Sequence, residues 1–151
     1  MPSRRAFLTG LGSTITVGVA PVAMAQTPMV FSGDGLAING YDPVAYFTQG
    51  RPVRGSRQYA LVWKRAEWWF SSAANLAAFE ANPRAFAPQF GGYCAYAVSQ
   101  GYTAATDPEA WRIYRGKLYL TVNQNVRGAW AENIDNHIVQ ANSNWPGVLA
   151  H

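Results

Sequence analysis

The chain of 151 residues has a single cysteine, Cys94. One thiol closes no disulfide within the chain, and it falls short of the roughly four ligands a zinc-type site needs. Charge is also scarce: 13% of residues are Asp, Glu, Lys or Arg, and no run of Lys or Arg occurs. Without a basic stripe, no nucleic-acid partner is expected. No segment supplies the roughly 20 apolar residues of a membrane-spanning helix. The nearest approach, "TGLGSTITVGVAPVAM", is broken by Gly, Ser, Thr and Pro21. Internal repeats, low-complexity tracts and obvious linkers are absent. Histidine comes down to His137 and His151.

What is present begins at the N-terminus. "SRRAFL" places Arg4 and Arg5 before Phe7-Leu8, and "AMA" at Ala23–Ala25 is a small-x-small cleavage site with Ala23 and Ala25 as its small residues. Together with the weakly apolar stretch between them, these resemble a twin-arginine export signal; the competing reading is a general-secretion signal that happens to hold an arginine pair. The expected organisation is a cleaved signal over 1–25 and a mature chain from Gln26 in the periplasm. A flexible leader over 26–36, a domain over 37–147 and a tail over 148–151 complete it. Some 126 residues remain, the size of one domain. Without Arg4 and Arg5, ten basic residues face eight acidic ones, a net charge of about +2. All six Trp and all eight Tyr fall in the mature part, enough for an aromatic-rich core.

Local signals predict the elements. In "GYDPVAYFTQG", Asp42 caps, Pro43 takes the first helical position and Gly50 ends the turn. Gln58–Trp63 and Glu67–Phe70 read as a hairpin around Lys64-Arg65-Ala66. Ser71 or Ser72 caps a short amphipathic helix in "AANLAAFEAN", and Pro83 opens another turn. "YCAYAVSQ" carries both signals. Tyr/Ala/Val alternation suits a strand, whereas its alanines and the Gly101 stop favour a helix, and a helix is predicted. Trp111–Tyr114 and Lys117–Val122 form a second hairpin around Arg115-Gly116. Val126, Trp130, Ile134, Ile138 and Ala141 then mark one terminal amphipathic helix. The pattern predicts an α+β domain, a small antiparallel sheet of two hairpins packed with three to four short helices.

Several blocks, "INGYDPVAYFTQGRPVRGS", "FEANPRAFAPQFGGYCAYAVSQG", "GKLYLTVN" and "NWP", resemble the exported single-domain branch of the YHS domain family. The resemblance runs from about Ala37 to Pro146. It implies a relative of treble-clef metal modules. Metal-binding members carry three cysteines, and their positions correspond here to Ala45, Ser71 and Asn75. All three thiolates are missing, so the resemblance supports the fold and weakens the metal site. Cys94 belongs to the branch's own "GGYCAYA" block.

Cys94 is the leading candidate site residue. It can pack as a small hydrophobe, ligate a soft metal such as Cu(I), or act as a redox-active or partner-bonded thiol. If it lies in the first turn of a helix, the helix start favours a thiolate, and Gly91-Gly92 leave the backbone open to a ligand. Other ligands are few. His137 on the terminal helix is the second metal candidate, and the methionines after residue 25 come down to Met29. Tyr46, Tyr93 and Tyr96 are the leading candidates to line a pocket for a small aromatic or apolar ligand, among a wider aromatic set that includes Trp68, Trp69 and Trp111. The acidic residues are scattered at turns and helix ends, and no nucleophile–base spacing stands out. The expectation is a binding module rather than an enzyme. Its ligand is a metal ion, copper first, or alternatively a small molecule or protein while Cys94 packs. Oligomeric state is left open.

Overall fold

Asp42 and Pro43 start the first helix as the sequence predicts. Pro43–Thr48 form α1, with the Asp42 carboxylate accepting from the Val44 and Ala45 N–H groups. These elements belong to a computed structural model that describes residues 10–20 and 26–150. Residues 10–20 hold no helix or strand. The signal residues Arg4, Arg5, Ala23 and Ala25 lie outside the described residues, as does His151.

The first hairpin pairs β1 (Ser56–Trp63) with β2 (Ala66–Phe70). Its connection is shorter than predicted, because Ala66 already pairs with Trp63. Lys64 and Arg65 make the whole turn with φ of 51° and 62°. Two-residue hairpin turns need such angles to match the strand twist, although Asn and Gly adopt them more readily than Lys and Arg. Ser72 caps α2 (Ala73–Ala81) by accepting from the Asn75 N–H, and Pro83 opens α3 (Pro83–Phe86). The ambiguous "YCAYAVSQ" is helical: α4 spans Ala95–Ser99. The second hairpin pairs β3 (Asp107–Tyr114) with β4 (Lys117–Thr121).

The architecture is α+β, two two-stranded antiparallel sheets packed with short helices. The hairpins do not join into the single sheet that was expected. The predicted terminal helix is also two: α5 (Gln124–Ala131) and α6 (Ile134–Asn144). Asn133 leaves helical geometry (φ −149°, ψ 60°) and separates them. The apolar period hid this break because Trp130 of α5 and Ala141 of α6 enter the same cluster.

Two apolar clusters result. Val44, Tyr46, Trp68, Phe70 and Phe79 form one, with Leu118 and Leu120. Tyr93, Ala95, Val98, Trp130 and Ala141 form the other, with Tyr119. Strand alternation explains how β4 serves both, since successive side chains point to opposite faces. Leu118 and Leu120 therefore enter one core and Tyr119 the other. Burying each leucine contributes roughly 1.5–3 kcal/mol, which makes β4 the wall the two halves share.

The segments expected as a loose leader and a tail are held in place. Thr27 N–H donates to the Leu149 carbonyl (3.3 Å), Phe31 N–H to Gly91 (2.9 Å), and Tyr93 Oη–H to Pro28 (2.8 Å). Val30, Val148 and Leu149 are buried. Among the described residues no helix is long and apolar enough to cross a membrane.

Candidate functional site

Cys94 is fully buried, at 0% exposure. It stands one residue before α4 rather than in its first turn. Its Sγ accepts from the Ala97 N–H at 3.5 Å, its own N–H donates to the Ala104 carbonyl, and its carbonyl accepts from Val98. Sulfur is a weak acceptor, so this cap is weak, but the burial costs little because a thiol behaves as a small hydrophobe. α4 has only five residues and so offers a short dipole. The glycines before it do not open the backbone to a ligand. A side chain at Gly91 would strike the Met29 carbonyl, and one at Gly92 would strike Ile38. Both glycines have positive φ (64° and 84°), a conformation that suits glycine, and neither position has room for a side chain.

His137 lies on α6, with Nδ1 3.0 Å from the Trp130 carbonyl. That contact makes Nδ1 the protonated nitrogen and leaves Nε2 as the one able to ligate. Tyr96 packs edge-on against the imidazole, with centroids 5.2 Å apart. Among the described residues no group of three or more His, Cys, Asp or Glu is placed to hold a metal.

Ala45, Ser71 and Asn75, the positions the resemblance assigns to cysteines, do converge. They meet at Asp42, which is itself 0% exposed. Asp42 Oδ1 accepts from the Val44 and Ala45 N–H groups at 2.8 and 3.2 Å. Oδ2 accepts from Ser71 N–H (2.8 Å), Ser71 Oγ–H (2.6 Å) and Asn75 Nδ2 (2.8 Å). A carboxylate offers about four lone-pair sites, and five donors fill them. Nothing remains for a cation, so this centre does not fit a metal. It fastens α1 to the end of β2 and the start of α2 through hydrogen bonds alone. The capping role of Asp42 was legible in the sequence; its partners 29 and 33 residues away were not.

The three pocket candidates do not share a pocket. Tyr46 is buried in the first core, with Oη–H donating to the Pro108 carbonyl at 2.9 Å and its ring 5.2 Å from that of Trp111. Burial, then Tyr41, Glu109 and Asp107, push its hydroxyl far above the ordinary tyrosine range. It borders an open cavity of about 590 Å³ with Glu109, Arg112 and Arg127. Tyr93 and Tyr96 belong to the second core.

A groove of about 300 Å³ lies where the two halves meet, and apart from Trp68 sequence reasoning missed the residues around it. Trp63, Trp68 and Trp145 line it together with Lys64, Arg84 and Lys117. An adjoining cavity of about 700 Å³ shares Met29, Val30 and Lys64 with it and adds Arg65. No carboxylate lines either space. Among the described residues the one ion pair is Arg115 with Asp135, at 3.5 Å and well exposed. Scattered through the sequence, these cations form no run that a local pattern could single out. No protein-family model, curated protein or solved structure matches the chain.

Proposed function

We propose that this chain is an exported, non-enzymatic small-ligand-binding module of the YHS kind, in which Cys94 packs. The observation that carries this reading is the groove between the two cores, walled by the half-buried Trp63 and Trp145 over the buried Trp68 and edged by three cations. Ligand sites are typically concave, at roughly 300–1,000 Å³, and set a few oriented polar groups beside apolar side chains; this groove has that volume, with a lining more polar than most. Copper handling through Cys94 and His137 has less support. Sγ is enclosed and hydrogen-bonded, and among the described residues no group of three or more His, Cys, Asp or Glu is placed to hold a metal.

Two experiments test the proposal. A thermal-shift panel of neutral, anionic and cationic small organic molecules should stabilise the protein with at least one class; a panel that stabilises nothing contradicts the module reading. Anaerobic titration with Cu(I) under reducing conditions should show no Cys94-dependent binding. One equivalent bound by the wild type and lost in Cys94→Ser would restore the metal reading. Export rests on the arginine pair. Arg4→Lys with Arg5→Lys should leave uncleaved precursor in the cytoplasm of a host with a twin-arginine pathway.

A further inference from the structure

Three features meet at the groove between the cores. The first is charge without compensation: Lys64, Arg84 and Lys117 edge it, Arg65 follows in the adjoining cavity, and neither space is lined by a carboxylate. These are four of the ten basic residues beyond residue 25. The second is the wall, made by the half-buried Trp63 and Trp145 over the buried Trp68. The third is the backbone that presents Lys64. The Lys64-Arg65 turn stands at positive φ on both residues, a conformation that costs side-chain-bearing residues and that Asn-Gly would fill more readily. Lys64 Nζ lies over the Trp63 ring, 4.7 Å from its centroid, which removes part of its hydration although the residue is exposed. Burial, and then the Arg84 guanidinium, push the Lys64 ammonium below the ordinary lysine range. Like charges placed together beside apolar walls repel, and an anion relieves that repulsion.

We propose that this groove binds a small organic anion with a flat apolar body, the body against Trp63 and Trp145 and the carboxylate or phosphate among Lys64, Arg84 and Lys117. The geometry assigns each part a task. The tryptophans supply contact area at low conformational cost, and the cations select charge. This rests on the small-ligand reading above and names its ligand class.

The test is calorimetric titration of the full chain with 2-naphthoate, with the neutral 2-naphthalenemethanol and inorganic phosphate as parallel probes. Indole N–H resonances are recorded alongside. The expected result is saturable one-to-one binding of naphthoate with a dissociation constant on the order of 100 µM. The neutral alcohol and phosphate should each bind at least about tenfold more weakly, because each lacks one half of the recognition. Shifts should fall on the Trp63 and Trp145 indoles. Arg84→Gln and Lys117→Gln, both at exposed positions, should each weaken naphthoate about threefold and together about tenfold. Lys64→Asn, which tolerates the left-handed turn, should do the same as either single change. Equal binding of the alcohol, equal binding of phosphate, or indifference to the cation substitutions overturns the groove assignment. Those outcomes leave the module reading standing, since only an unresponsive thermal-shift panel removes that.

Discussion

Asp42 and Cys94 do the same local job in opposite ways. Each precedes a short helix, each is fully buried, and each accepts from a backbone N–H in the first turn. Asp42 gathers five donors from three segments, whereas Cys94 receives one weak bond within its own helix. The difference follows from what each group costs to bury. A carboxylate out of water must be surrounded by donors, so its burial demands a network. A thiol makes no such demand, so its site can be closed by packing alone. The chain thus has one half fastened by a polar hub and, in the other, a buried thiol held by one weak hydrogen bond. In the first half, hydrogen bonds occupy the positions where the resemblance would place metal-binding cysteines.

Substitutions can break this contrast, and the largest effect belongs to the hub. Asp42→Ala should cost about 3–5 kcal/mol in denaturant unfolding, because it leaves the Ser71 and Asn75 donors without an acceptor in a buried site. Asn75→Ala removes one donor of five and should cost about 1–3 kcal/mol. Cys94→Ala deletes a buried sulfur and its weak cap, for about 1–2 kcal/mol. Smaller still, Ser72→Ala should cost about 1 kcal/mol, an ordinary cap loss. Ser71→Ala should exceed it, since Ser71 serves the hub and not the cap. If Ser72→Ala proved the more damaging of the two, the roles assigned to the two serines would be reversed.

A pH series sharpens the same contrast from the aromatic side. The Tyr46 hydroxyl is held above its ordinary value of 10.0, chiefly by burial, and burial likewise raises Tyr93 and Tyr119. The folded chain therefore keeps protons that the unfolded chain releases. Their contribution to stability is complete below about pH 10 and is lost as pH rises above it. Urea midpoints measured from pH 8 to pH 11 should fall steeply past pH 10. Tyr46→Phe should flatten that fall, at a cost of about 1 kcal/mol at neutral pH for the lost bond to Pro108.

The sequence revealed what local chemistry decides. Both hairpins followed from aromatic and β-branched runs around short turns, and Asp42-Pro43 and the Ser71-Ser72 pair announced their helices. Three features depended on distance and stayed hidden. The break at Asn133 lies inside an unbroken apolar period, because α5 and α6 face one core. The hub joins residues 42, 71 and 75, and no local pattern reports that Ser71 turns back to Asp42 while Ser72 caps. The cations at 64, 84 and 117 are brought together by the meeting of the first hairpin, α3 and the second hairpin. The glycine pair was legible as a break but not as a close approach, since what fills the space is distant in sequence: Met29, from the segment expected to be loose, and Ile38, at the start of the domain.

The most direct measurement is native-state labelling of Cys94 with N-ethylmaleimide as a function of urea. Enclosure of the thiol predicts that labelling is blocked in native buffer and rises with urea in step with global unfolding. It also predicts that the destabilised Asp42→Ala protein labels faster in proportion to its lost stability. Stoichiometric labelling of the wild type within minutes in native buffer, independent of urea and of Asp42, would contradict the account and return Cys94 to the position of an accessible, reactive site.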